Sequence, residues 1–405
     1  MKISYNWLKA YVDMTGATPH GVPTPEEYAK RLDECGIDVE GISHLYAKDG
    51  KVTEDDTIID VRISKELSDY SGMMWVANET CGLFNIPIDD CQSYSHLLPD
   101  DRWVRDESDE SSLYVNSTTK KCKMIVARAM NVKAGKSPDF IRNALYANGI
   151  EPTINLKDIP LFSARNIGQP MFGIDYDKFK TGKIIAELSP IDGTIVCEGK
   201  EYAYKAGDLV LTNGEKVFSV AGVVTDDSVA VDENTTKIIV YTVNIDRNIV
   251  SAKSVEYGRY DLNTVLASLG CNHASAMKEI GDVTSWLYMY ADACNIEAMD
   301  IYNKFDFTKS IMETRVEVIN HMLSTNYTYK DILSHVINAK VSAFVKEPVY
   351  FEGKQVVVDV CEPSPYVQDF IRFGCKLGSY RDRREPCDLA QIVISLMGCE
   401  NIQSL

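Results

Sequence analysis

Residues 192–224 read DGTIVCEGKEYAYKAGDLVLTNGEKVFSVAGVV. Short apolar runs alternate here with Gly-, Asn- and Asp-bearing breaks, the pattern of strands joined by tight turns. Working outward, the same texture recurs at Cys122–Ala129, Lys183–Leu188, Gly193–Val196, Asp208–Leu211, Val217–Val223 and Lys237–Val243. One early helix is predicted over Pro138–Ala147, and residues 262–305 carry helical spacing. The chain before this β-rich stretch is different. A helical phase covers Asn6–Val12, and Thr24 then precedes Pro25 and Glu27, an N-cap, first-turn proline and reciprocal acid. That helix is expected to run to Cys35 and stop at Gly36. An apolar strand at Thr57–Ile63 leads into a helix near Tyr70–Phe84, placed by Met73, Met74, Val76, Ala77 and Cys81. The run RDESDESS at 105–112 is acidic and Ser-rich, and reads as a linker. Beyond residue 312 the pattern is helical through His335–Ile337, extended at Gln355–Val360, and helical again at Asp388–Leu396 before Gly398.

The fold class is therefore α+β, in three units. The boundaries drawn are an N-terminal module at 1–95, an acidic linker at 96–120, a mixed α/β module at 121–305 and a C-terminal module at 306–405. The 405 residues carry 42 Lys plus Arg against 59 Asp plus Glu, a formal net charge of −17. Lys and Arg supply most affinity for phosphate backbones, so a generally basic nucleic-acid binder is excluded and any RNA contact needs a local patch. The 11 cysteines are scattered without a CxxC pair, which fits reduced thiols better than a disulfide framework. No HExxH, GxxxxGK[ST] or GxGxxG occurs, so zinc protease, Walker and dinucleotide-binding readings lose their support, and no metal or cofactor is expected. The N-terminus MKISYNWLKAYVDM lacks a signal-peptide core, and no apolar run reaches membrane-spanning length, so a cytoplasmic location is expected.

Three stretches together resemble the β subunit of bacterial phenylalanine–tRNA ligase. The opening MKISYNWLKAYVDM with ECGIDVEGI at 34–42 is the first. The second runs from SPDFIRNALYANGIEP (137–152) through GQPMFGID (168–175) to DGTIVCEGKEY, DLVL and VAGVV (192–224), and is similar to the family's editing-type module. SYR at 379–381 with DLAQIVISLMGCENI at 388–402 resembles the module after it. The resemblance covers the amino-terminal half of that architecture. The family's synthetase-like half, its anticodon-binding end and its inserted tRNA-binding barrel have no counterpart in the sequence.

The resemblance implies a site that removes tyrosine wrongly attached to tRNA, and the matching positions can be read one by one. Where the family has a histidine after Gly-Gln-Pro-Met, this chain has Phe172. Where it has a glutamate late in a strand, this chain has Tyr241. Its Thr-Asp-Ala-Ser run falls on Asp261, Leu262, Asn263 and Thr264, its Arg after Gly-Ile on Glu151, and its tandem Gly on Thr225 and Asp226. A phenyl ring has no proton to give, and a phenol lacks a carboxylate's pKa. The surviving candidates for acid–base work are Asp261, Tyr241 and His273, with Phe172, Glu151, Thr225, Asp226 and Asn263 as pocket residues. Each also has a structural reading: Phe172 and Tyr241 as core, Asp261 as a helix cap, His273 as a surface residue. Cys271 lies two residues before His273, a spacing that does not put both on one helical face. Glu151, Asp226 and Asp261 all place negative charge where an RNA end would enter in the family, which raises the cost of bringing in phosphate.

Three functions compete on these grounds. The leading expectation is a phenylalanine–tRNA ligase β-subunit-like protein with a degenerate editing site, a non-catalytic module that binds RNA, a partner or a ligand. The second is a stand-alone hydrolase of aminoacyl-tRNA or a related ester with a rebuilt site on Asp261, Tyr241 and His273. The third is a shortened β subunit supporting a synthetase α subunit. Expected partners are an α-like subunit or a second copy of this chain, and tRNA through the local basic patch Arg372, Lys376, Arg381, Arg383 and Arg384.

Overall fold

The Ser4 hydroxyl accepts the Trp7 N–H at 3.1 Å, which starts the first helix. In the computed structural model, residues 1–34, 37–62, 71–84, 86, 110–270, 276–304, 320–321, 326–328, 343–345 and 358–360 are described. The chain divides into two compact units, Met1–Tyr94 with Phe307–Leu405, and Ser95–Asp306. The sequence reading had three modules; the third, 306–405, lies almost entirely outside the described residues.

In the first unit, β1 (Lys2–Ser4), α1 (Tyr5–Tyr11), α2 (Pro25–Glu34), β2 (Val39–Leu45), β3 (Asp56–Val61) and α3 (Met73–Leu83) follow in order. The expected capping box forms: Glu27 N–H donates to Thr24 Oγ1 at 3.2 Å, and Thr24 N–H to Glu27 Oε2 at 2.8 Å. The strands make an antiparallel sheet in the order β1-β3-β2. Leu8, Tyr28, Leu32 and Ile59 close its core. The predicted stop at Cys35–Gly36 lies outside the described residues.

In the second unit, β4 (Tyr114–Ser117), β5 (Cys122–Asn131), α4 (Asp139–Ala147), α5 (Asn155–Ile167), β6 (Phe172–Asp175), α6 (Tyr176–Phe179), β7 (Lys183–Leu188), β8 (Gly193–Cys197), β9 (Lys200–Tyr204), β10 (Leu209–Thr212), β11 (Val217–Val220), β12 (Val224–Thr225), β13 (Lys237–Ile245), α7 (Arg247–Tyr257), α8 (Leu262–Leu269), α9 (Ala276–Tyr290) and β14 (Asp300–Asn303) follow. Two sheets form, β14-β5-β13-β6 and β12-β11-β10-β7-β4, with β8 and β9 as a separate hairpin. Ile125, Ala127, Ile239, Tyr241 and Val243 of the first sheet share a core with Ile184, Ala186, Leu211, Phe218 and Val220 of the second. Helices α5 and α9 pack on each other and on the first sheet. Buried on both sides, β5 reads as an almost continuous apolar run.

Four local expectations are corrected. Residues 114–117, assigned to the acidic linker by composition, form β4, which pairs in parallel with β7. Its Val115 N–H donates to Asp300 at 2.6 Å, which holds it within the unit. Residues 291–304 are not helical: Asp292 and Asn295 have left-handed backbones at φ 49 and 47, and the chain then pairs as β14 with β5. The expected single early helix is two, because α5 accommodates Pro160. The stretch 247–257, read without a helix, is α7: Asp246 caps its start by accepting the Asn248 N–H at 2.9 Å, and Gly258 closes it at φ 64. Farther on, β15 (Ala343–Val345) and β16 (Val358–Val360) pair antiparallel, the latter inside the extended run expected at 355–360. The expected helices at 335–337 and 388–396 lie outside the described residues. Among the described residues, no helix is long and apolar enough to cross a membrane.

Candidate functional site

The register of β6 against β13 sets Phe172 directly opposite Tyr241. Their rings stack with centroids 5.0 Å apart and an interplanar angle of 18°. Phe218 closes the other side of Tyr241 edge-on, at 6.1 Å and 81°. Tyr241 is 0% exposed, with its hydroxyl buried beside the Thr225 side chain. Burial drives the phenol's pKa well above its usual value, and the neighbouring Thr225 side chain offsets only part of the rise. A group in this setting is neither a base nor a solvent-facing donor. Phe172, half-buried, is a wall of the same stack.

The loop leading into β6 is held from two sides. Gly168, at φ 80, ends α5 in the left-handed conformation that a glycine adopts without strain. Asn263 then clasps Met171: its Oδ1 accepts the Met171 N–H at 3.1 Å, and its Nδ2 donates to the Met171 carbonyl at 2.6 Å. Thr242 Oγ1 donates to the Pro170 carbonyl at 2.8 Å. Asn263 is thus a buried clamp on the backbone. We expect Asn263→Ala to cost about 2 kcal/mol, because two buried backbone groups lose their partner. Urea unfolding reads this directly, and an unchanged midpoint would mean that the clamp carries no energy.

Asp261 is the N-cap of α8, accepting the Thr264 N–H at 3.0 Å. Its other oxygen lies 3.2 Å from an Arg259 guanidinium nitrogen. Arg259 also grips Glu198 with both arms, at 2.6 and 3.0 Å. That hydrogen-bonded pair holds the Glu198 carboxyl below its ordinary value, with a smaller attraction from Lys157. Glu198 and Gly199 form the tip of the β8–β9 hairpin with left-handed backbones, φ 53 and 72. Asp227 stabilises that tip by accepting the N–H of Glu198 at 2.8 Å and of Gly199 at 2.9 Å. Asp226 accepts the Val196 N–H at 3.1 Å and the Ser228 N–H at 2.9 Å. Burial pushes the Asp226 carboxyl up, but the hydrogen bonds from Ser228 and Val196 outweigh it and leave it low. Glu151 accepts the Tyr146 hydroxyl at 2.9 Å, which raises the Tyr146 pKa.

The described sequence-predicted residues therefore fall into three groups, with Glu151 apart on Tyr146. Phe172 and Tyr241 stack, with the Thr225 side chain beside the Tyr241 hydroxyl. Asn263 fixes the loop before it. Asp261 and Asp226 belong to hydrogen-bonded junctions around the hairpin. His273 and Cys271, with Arg372, Lys376, Arg381, Arg383 and Arg384, lie outside the described residues. The Arg259–Glu198 pair and Asp227 went unnoticed in the sequence, where 61 residues separate Arg259 from Glu198. The Glu-Gly dipeptide between two β-rich runs was the available signal, since it marks a tight hairpin.

A family profile of the B3/4 domain matches residues 121–287. Those residues are similar to the B3/4 domain. The matched residues span β5, β6 and β13 of the first sheet, the stack and the hairpin just described. Across a longer stretch, the chain is phenylalanine–tRNA ligase β-subunit-like. It is 24% identical over 330 residues to the phenylalanine–tRNA ligase beta subunit of a Bacillus cereus strain, covering 76% of this chain and 40% of that protein. To the corresponding subunit of Streptococcus pyogenes serotype M1 it is 25% identical over 282 residues, covering 69% and 34%. The chain thus spans 34–40% of the length of these curated relatives. A crystal structure of an N-terminal fragment of the phenylalanyl-tRNA synthetase beta-subunit from Pyrococcus horikoshii aligns over 98% of this chain and 99% of that one, with a TM-score of 0.44 and 10% identity.

Proposed function

We propose that this protein is a non-hydrolytic binding and assembly module built on the phenylalanine–tRNA ligase β-subunit plan. The observation that carries the reading is the Phe172–Tyr241 stack. The resembled family has a histidine and a glutamate at these positions, and here two aromatic rings lie face to face with the phenol sealed from water. Ester hydrolysis needs a positioned water and a group able to move a proton. Asp261, the remaining carboxylate candidate, spends its oxygens on a helix cap and on Arg259. The pocket residues thus act as fold-holding contacts. A synthetase α-like chain is the partner that the relatives' subunit name points to, with tRNA reached through the arginines at 381, 383 and 384. The cytoplasm is the matching location.

The test is deacylation. The purified 405-residue chain incubated with tyrosyl-tRNA or phenylalanyl-tRNA is expected to release no amino acid above the buffer rate. Turnover that disappears in Asp261→Ala would overturn the reading in favour of a rebuilt hydrolase.

A further inference from the structure

Strand β2 lies at the edge of the three-stranded sheet, and among the described residues β3 is its one partner strand. Its burial is unusual for a strand: positions 40 to 44 are all exposed, including Ile42 at 37%. Exposed edge strands offer a row of unpaired backbone groups, and natural proteins usually blunt or cover them. A bulge between Val39 and Gly41 twists one end, yet Gly41 to Leu45 stay in continuous register with β3. An edge of this length, carrying a half-exposed isoleucine, is a template for another strand.

The sequence of the strand says which one. It reads VEGISHL over 39–45, and it is complementary to itself about Ile42. In an antiparallel pairing centred there, Ile42 meets Ile42 and Gly41 meets Ser43, and His44 falls opposite the bulge that carries Glu40. Apolar lies on apolar, small on small, and the imidazole beside the acid. Such cross-strand pairs are the unit by which sheets are stabilised, and like charges would have been destabilising. Self-complementarity about one point is also what a two-fold interface demands, since each contact must occur twice. Shifting the centre to Ser43 sets Ile42 against His44 and Gly41 against Leu45, and the match is lost. Within the chain Arg62 donates to Glu40 at 2.9 Å and His44 Nδ1 lies 3.2 Å from Thr57 Oγ1, so the cross-strand pair would add to these contacts, and the His44 ring lies 6.1 Å from that of Tyr46.

We propose that β2 is a dimerisation edge, pairing antiparallel with β2 of a second copy about an axis through Ile42, to give a continuous six-stranded sheet (twice the order β1-β3-β2). This is independent of the fate of the B3/4-like site. Sedimentation of the 405-residue chain tests it. The expected species is twice the 45.3 kDa monomer at micromolar concentration. Ile42→Lys, which puts two ammonium groups at the axis, is expected to weaken the dimer at least about tenfold with the circular dichroism unchanged. Glu40→Lys should weaken it too, and adding His44→Glu should restore it by exchanging the charges. Ile42→Cys is expected to cross-link to itself on mild oxidation, because directly opposed Cα atoms lie within disulfide reach. His44→Cys is not, since its two copies stand about 13 Å apart along the strands. A monomer throughout the concentration range, or a dimer indifferent to Ile42→Lys, would overturn the proposal.

Discussion

Tyr241→Glu, which restores a carboxylate at the position where the resembled family carries one, is expected to be the most destabilising single change in the B3/4-like region. The phenol ring is fully buried between Phe172 and Phe218. A carboxylate there would lose its hydration and gain no charged partner, and such a group instead takes up a proton. Its folded pKa would rise above the unfolded value near 4.3, so the penalty grows as pH climbs through that window. We expect a loss of about 4 kcal/mol or more at pH 8 and a smaller one at pH 5. Two companions separate polarity from packing. Tyr241→Ala should cost about 3–5 kcal/mol through the cavity it leaves. Tyr241→Phe should change stability by less than about 1.5 kcal/mol, because it keeps the ring and removes only a hydroxyl beside the Thr225 side chain. Urea unfolding of the three variants at both pH values decides the matter. Wild-type stability in Tyr241→Glu would mean that water reaches position 241, and the proposed loss of hydrolysis would then lose its main support.

The same residues show how far the sequence could be read. Local signals were legible. The Thr24–Glu27 box lies within a few residues of the helix it starts, α4 follows from the apolar spacing after Pro138, and β7 and β13 follow from short apolar-rich runs. What depends on distant partners was not. Phe172 and Tyr241 sit in separate runs, and only the pairing of β6 with β13 makes them neighbours. Strand β4 hides in an acidic tract because its stabilising contacts come from β7 and from Asp300. Residues 300–303 become a strand only because β5 offers an edge. The candidate site shows the same division. Asp261 as a cap was one of the readings open from the sequence, whereas the Arg259–Glu198 clasp needed the hairpin and the α7–α8 turn brought together.

Helix α5 is the clearest case of a hidden element, and it yields the second large effect. Its sequence NLKDIPLFSARNI holds Pro160, which removes an intrahelical hydrogen bond and reads as a breaker. The helix persists because it is buried along its length and fixed at its start by Asn155. The Asn155 side chain accepts the Gly135 N–H at 2.8 Å and donates to the Lys133 carbonyl at 3.0 Å and the Tyr290 carbonyl at 2.9 Å. One amide thus ties the loop after β5, the start of α5 and the end of α9. Asn155→Ala is expected to cost about 3 kcal/mol, near 1 kcal/mol for each bond lost. Asn155→Asp, although almost the same shape, should cost more. It keeps an acceptor for the Gly135 N–H but turns an anionic oxygen toward two carbonyls, in a position only 2% exposed. The order wild type, then alanine, then aspartate in thermal or urea midpoints at pH 7 is the expected result. Equal midpoints for alanine and aspartate would show that the two carbonyls find other donors, and that α5 is held by its apolar face alone.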